Sequence, residues 1–246
     1  MCCISMAYIK RGFKEIIMNK TIIFDLDGTL TDSEEGILKS VTYALESFGY
    51  EIPPHETLLL FLGPPLVDSF QEHCGMALEE AEKVYKKFGK RYGTIGKFEN
   101  QLYPNIIDLL DKVKNEHYTV ALATAKPEVY AREILDHFSI TQYFDVIVGA
   151  NYKEGLVHKK EILQKAIELC GNPLTDDTGR RLVYMVGDRK YDVESGNELG
   201  CISIGVTYGY GTETELNDAN AEYLCDDVDD IVMTLDLEEM LVRRRT

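Results

Sequence analysis

Short apolar runs alternate with stretches of helical periodicity along most of this chain. Thr21 to Phe24, Tyr118 to Thr124, Phe144 to Val148, Val183 to Val186 and Ile202 to Val206 are apolar on both sides of the residue alternation, and each is too short for a buried helix. They read as strands covered on both faces. Between them, Ile106 to Val113, Glu128 to Phe138 and the segments near 159–170 and 191–199 carry apolar residues at helical spacing. A weak strand at Tyr223-Leu224 and a helix from about 227 close the series. Strands and helices in alternation predict an α/β protein with a doubly wound, mostly parallel sheet of the Rossmann-like kind.

The rhythm is interrupted once. Between about 35 and 100 the pattern is helical throughout: Ser33 is placed to cap a helix whose apolar face is Ile37, Val41, Ala44, Leu45 and Phe48, and Gly49 ends it. Pro53-Pro54 and Gly63-Pro64-Pro65 then break the chain, and 66–74 and 77–92 are again helical, the latter with Ala81, Val84, Tyr85 and Phe88 on one face. The expected organisation is an α/β core from 20–34 and 101–246 with a helical cap of residues 35–100 inserted. A length of 246 residues suits one core with one inserted module. Residues 1–19 precede the first strand as an irregular extension. Two readings stand: translation starting at Met18, or a short helix packed on the core through Ile9, Phe13, Ile16 and Ile17.

Composition narrows the function classes. With 45% hydrophobic and 28% charged residues the chain belongs among ordered globular proteins. A formal charge of −16 argues against nucleic acid as a partner, which calls for a clustered basic face. It also means that an anionic substrate needs local cations to approach, which favours a divalent metal. Six cysteines are scattered without zinc-site spacing or a disulfide framework. No apolar run reaches membrane-span length, and Lys10, Arg11, Lys14 and Glu15 stand where a signal peptide would be apolar. A cytoplasmic protein with no membrane partner, monomeric or homodimeric, is expected.

The chemistry sits where strands end. Asp25 and Asp27 follow the first apolar run, and the next residue, Gly28, allows a sharp turn. Two acids one residue apart at the carboxyl end of a sheet strand suit a nucleophile and a general acid/base sharing a cation, which is the need of phosphoryl transfer. Thr124 ends a second strand, Lys159 begins a helix, and Asp188 and Asp192 follow Val183-Tyr184-Met185-Val186-Gly187. Bland readings exist for several of these. Thr124 and Asp192 are also suitable helix caps, His158 reads as a solvated helix-start residue, Arg189 as a brace for Asp192 or for the cap, and Arg243, Arg244 and Arg245 as a helix end. Either Lys159 or Lys160 can supply the fixed charge, but helical neighbours diverge by about 100°, so only one faces the site.

In order, the segments FDLDGTL, TAKP and GDRKYD, with the intervening lysine, resemble the four signature motifs of the haloacid dehalogenase superfamily. The resemblance covers roughly 20–246 and is greatest to phosphoglycolate phosphatase-like enzymes, some assigned as 5'-nucleotidases. It extends to Leu62-Gly63-Pro64-Pro65-Leu66, Phe98 to Pro104 and Ile204 to Gly211. Carried over, it implies that Asp25 is the nucleophile that becomes an aspartyl phosphate and that Asp27 is the general acid and then base. It further implies that Asp25, the carbonyl of Asp27 and Asp188 hold Mg²⁺, with Asp192 holding metal-bound water or Lys159. Thr124, the Ala125 amide and Lys159 would bind the phosphoryl group, Lys159 being preferred to Lys160 by local likeness. Ala125 stands where relatives often carry Ser. Dehalogenase and transport-ATPase members lack the second Asp, so Asp27 favours a phosphatase acting on small phosphomonoesters, phosphoglycolate-like or nucleoside monophosphates. The alternatives are a β-phosphoglucomutase-like phosphomutase and, from another class, a phospho-Asp receiver, which needs neither the DxDGT run nor the insertion. Gly63, Arg91 and Glu99 are candidates for selecting the organic part of the substrate.

Overall fold

The computed structural model describes residues 20–245 apart from 152, 172, 174 and 176–180, with side chains described through residue 238. Both readings of the 1–19 extension lie outside the described residues, as do the side chains of Arg243, Arg244 and Arg245. The chain opens with β1 (Thr21–Phe24), passes through β2 (Thr31–Asp32) and enters four helices, α1 (Glu34–Ser47), α2 (His55–Leu59), α3 (Leu66–Cys74) and α4 (Leu78–Tyr92). Strand β3 (Gln101–Leu102) then leads into α5 (Ile106–Asn115), β4 (Thr119–Pro127), α6 (Glu128–His137), β5 (Val146–Ala150) and α7 (Lys159–Cys170). After these come β6 (Val183–Gly187), α8 (Lys190–Glu198), β7 (Ile202–Val206), α9 (Glu213–Asp218), β8 (Tyr223–Cys225) and α10 (Val228–Arg245).

Six strands form one parallel sheet in the order β5-β4-β1-β6-β7-β8. The two-residue period of each strand divides its side chains between two cores. Ile22 and Phe24 of β1, Val120 and Leu122 of β4, and Tyr184 and Val186 of β6 face α5, α6 and α10; Ile23, Ala121, Ala123, Val183 and Met185 face α7. Burial on both faces is why the middle positions of these strands are mostly apolar. The order reverses beside β1, which follows the doubly wound rule that a site opens at the carboxyl ends near such a reversal.

Helices α1 to α4 surround a hydrophobic cluster of their own, from Ile37 through Phe61, Phe70, Val84 and Phe88 to Tyr92. The chain enters and leaves this helical unit through the antiparallel ribbon β2–β3. Where the two linkers meet, the backbone is so close that a Cβ on Gly36 would lie 1.9 Å from the Gly96 carbonyl oxygen.

The local expectations need five corrections. Phe48 lies past the end of α1 and is exposed instead of joining its apolar face. Ser33 makes no capping bond; the amide of Glu34 donates to Asp32 Oδ1 at 3.2 Å, while Ser33 contacts Tyr210. Strand β4 continues beyond Thr124 to Pro127 with a shift of register, and β5 starts at Val146 because a 3-10 turn occupies Thr141–Tyr143. Helices α2 and α9 and the β2–β3 ribbon were not expected, being too short to show a period. Among the described residues no helix is long and apolar enough to cross a membrane.

Candidate active site

The ends of four adjacent strands converge on Asp25. Its amide donates to the Val186 carbonyl at 2.9 Å, which extends the β1–β6 pairing by one residue and sets Asp25 beside the start of the loop bearing Asp188. Gly28 turns the chain with φ +78°, and its amide donates to Thr31 O at 2.8 Å, so the loop folds back on itself. A Cβ there would lie 2.2 Å from Asp188 Oδ2, and one on Gly187 2.2 Å from the Asp192 carboxyl carbon. Both positions need glycine because carboxylates occupy the space.

Lys159, the first residue of α7, places its ammonium 2.7 Å from Asp25 Oδ1 and 2.6 Å from Asp192 Oδ1. Burial by itself would lower that ammonium, but Asp192 and Asp25 outweigh it and hold it above its ordinary value. Lys160 points elsewhere, to Glu198 on the surface. The second oxygen of Asp192 accepts from the Arg189 amide at 3.1 Å, so this carboxylate both starts α8 and holds Lys159. Asp188 is fully buried; its Oδ2 accepts from the Tyr210 amide at 2.8 Å and its Oδ1 from the Thr29 hydroxyl at 3.4 Å. Burial, then Asp192 and Asp25, push Asp188 well above the carboxylate range. Asp25 is raised too, by burial first, with Lys159 pulling it back and Asp192 adding to the rise.

Oxygens of Asp25, Asp188 and Asp192 lie within 4.8 Å of one another. Three carboxylates against the single ammonium of Lys159 leave negative charge that is expensive to bury. An all-oxygen donor set with that excess fits a hard divalent cation such as Mg²⁺.

A family model for haloacid dehalogenase-like hydrolases matches residues 22–206, the span from β1 through β7 that brings these groups together. The chain belongs to that family. It is 34% identical over 207 residues to a 5'-nucleotidase of Pseudomonas aeruginosa, covering 84% of this chain and 91% of the relative. A phosphoglycolate phosphatase of Haemophilus influenzae is 32% identical over 217 residues, 85% of this chain and 94% of that one. Among solved structures, Protein Tyrosine Kinase A of Mycobacterium tuberculosis superposes with a TM-score of 0.75 at 31% identity, over 89% of this chain and 99% of that chain. Family membership and phosphatase-named relatives over most of their length make this chain a haloacid dehalogenase-like hydrolase of the phosphatase type.

The remaining positions of this hydrolase site are less uniform. Thr124 is buried at the end of β4, where its hydroxyl accepts from the Lys126 amide at 3.2 Å; Ala125 beside it is exposed. Asp27 does not join the carboxylate cluster but pairs through Oδ2 with Lys126 at 2.7 Å. Lys126 donates in turn to the hydroxyl of Tyr92, at the end of α4. Burial pushes that phenol up to about 12, with Lys126 opposing, so it stays neutral.

Sequence reading missed Lys126, Tyr92 and Tyr210. Lys126 stands two residues after Thr124, visible in TAKP, but nothing in the chain names its partner. Tyr92 continues the apolar face of α4 and reads as core. Tyr210 lies in the Ile204 to Gly211 segment, which carried family likeness but no assigned role, yet its amide holds Asp188 and its hydroxyl accepts from the Ser33 amide at 2.7 Å. Arg189 acts as a brace: it pairs with Glu215 at 2.9 Å and donates to the Leu62 carbonyl of the helical unit. Gly63 leaves room for that guanidinium, and Arg91 and Glu99 bind each other.

Proposed function

We propose that this hydrolase is a Mg²⁺-dependent phosphomonoesterase that works through an aspartyl phosphate on Asp25. The observation that carries the reading is the buried cluster in which Lys159 bridges Asp25 and Asp192 while Asp188 stands alongside. An ionised carboxylate needs no base to attack phosphorus; what it needs is relief from repulsion by the phosphate. At 4 Å and an effective dielectric near 20, each like-charge pair costs about 4 kcal/mol. Lys159 supplies one fixed positive charge against it. Asp25, the Asp27 carbonyl and Asp188 would hold Mg²⁺, which would supply the further charge neutralisation.

In the first half-reaction an oxygen of Asp25 bonds to phosphorus, the bond to the ester oxygen breaks, and Asp27 protonates that oxygen as it leaves. In the second, Asp27 removes a proton from water, the water oxygen attacks phosphorus, and the Asp25–phosphorus linkage breaks to release phosphate. Thr124, the Ala125 amide and Lys159 bind the phosphoryl oxygens. Residues 35–100 act as a cap on the core of 20–34 and 101–246, excluding water and admitting small organic groups. The names of the relatives support phosphoglycolate or nucleoside monophosphates as substrates. Acceptors other than water, a sugar hydroxyl or the tyrosine suggested by one structural neighbour's name, are the competing fates of the phosphoryl group.

A panel of phosphomonoesters, assayed for phosphate release with Mg²⁺ and with chelator, tests the reaction and ranks the substrates. Metal-dependent release is expected, with an acid-quenched phosphoryl adduct on Asp25 that borohydride reduction converts to homoserine with loss of phosphate. No adduct, or label recovered only on an added acceptor, overturns the reading.

A further inference from the structure

The two oxygens of Asp27 have different surroundings. Oδ2 is paired with the buried Lys126 ammonium, whereas Oδ1 is buried with no hydrogen-bond partner among the described residues. Lys126 is itself gripped from the helical unit: it donates to the Tyr92 hydroxyl and lies 4.6 Å from the centre of the Tyr92 ring. Tyr92 is stacked on Phe88 of α4 at 5.1 Å and packed edge-on to Tyr130 of α6 at 5.9 Å, so the helical unit and the α/β core together set where its hydroxyl points.

We infer that Lys126 is a positioning residue for Asp27, anchoring Oδ2, leaving Oδ1 as the oxygen that carries the proton, and aimed by Tyr92 of the helical unit. The inference rests on the phosphatase reading above. As the bond between phosphorus and the ester oxygen breaks, its electron pair stays on that oxygen and the Oδ1 proton moves to it. The negative charge left on Asp27 then appears beside an ammonium already in place, which stabilises it without reorganisation. In the return step Oδ1 takes a proton from water while the water oxygen bonds to phosphorus. The Asp25–phosphorus bond breaks with its electron pair returning to Asp25. Because the Tyr92 hydroxyl belongs to the helical unit, the full set of contacts on Lys126 is complete only with that unit in place.

Leaving groups distinguish this role from phosphate binding or a purely structural one. Nitrophenolate departs without a proton, whereas an alkoxide needs one. Single-turnover phosphorylation with Mg²⁺ is to be measured for 4-nitrophenyl phosphate and propyl phosphate on the wild type, Lys126→Met and Tyr92→Phe. Lys126→Met is expected to slow propyl phosphate about tenfold or more while changing 4-nitrophenyl phosphate by less than about twofold. Tyr92→Phe keeps the Lys126–Asp27 pair and gives the same selectivity at lower amplitude, about threefold on propyl phosphate. Equal loss on both substrates overturns the inference, and if Lys126→Met fails to fold, Tyr92→Phe alone decides by the same criterion. Wild-type phosphoprotein trapped in these samples keeps the two claims apart. Its presence with equal losses overturns only the role of Lys126, and its absence overturns the phosphatase reading as well.

Discussion

Asp25 and Asp27 are two positions apart but meet different partners, and that difference divides the expected effects of mutation. Asp25→Asn keeps the shape of the carboxylate next to Lys159 and removes the proposed nucleophile, so kcat is expected to fall by more than about 10⁴-fold with the fold retained. Circular dichroism and turnover on the same sample check this. Asp27→Asn leaves Asp25 in place; on the proposed general-acid role its loss predicts about 10²- to 10⁴-fold slower alkyl ester cleavage, with a smaller effect on the first turnover of a nitrophenyl ester. Gly28→Ala puts a methyl group into Asp188 in a backbone conformation with φ +78° that alanine resists. Metal-dependent activity should drop sharply, and a Mg²⁺ titration of activity should show a raised half-saturation point.

At the scale of elements, the connection between core and helical unit rests on a few specific contacts. The linkers are held by the β2–β3 ribbon, the Gly36–Gly96 contact and the two-pronged pair between Arg91 and Glu99 at 2.6 and 3.0 Å, with Arg91 also donating to Ser40. Arg91 holds Glu99 below the ordinary carboxylate range. A depressed folded value means the pair's stabilisation is present above the unfolded pKa, about 4.3, and is lost as pH falls through the lower folded value. Arg91→Ala is expected to cost about 1–2 kcal/mol at neutral pH, with the difference from wild type shrinking in acid. Chemical denaturation at pH 7 and pH 3 reads both parts.

The whole molecule carries a net charge of −16 and buries carboxylates at its centre, so the metal-free protein is expected to be less stable than its packing allows. Because Asp188 is raised on folding, the stability linked to its protonation is present below the unfolded carboxylate pKa and is lost as pH rises through the folded value. Asp188→Asn should therefore raise the metal-free Tm at pH 7, by a margin that closes in acid, and should reduce the Tm gain from Mg²⁺. For the wild type, Mg²⁺ at 100 times its Kd adds about 2.7 kcal/mol, or about 5–10 °C. Thermal melts with and without chelator test the set; an Asp188→Asn protein that melts lower without metal contradicts it. The chain's own order of residues determined much of this picture. Mostly apolar strands, helical periods between them and acids at strand ends imply a parallel sheet with phosphoryl chemistry at the carboxyl ends of its strands, because burial on two faces and a carboxylate's preference for loop ends are local rules. Tertiary structure decided which lysine faces the carboxylates, that Asp192 serves both helix and lysine, and that Lys126, Tyr92 and Tyr210 belong to the site. Those depend on side chains brought together from distant parts of the chain, and a hydrogen-bonding or charged group does not reveal in sequence which partner folding will bring to it.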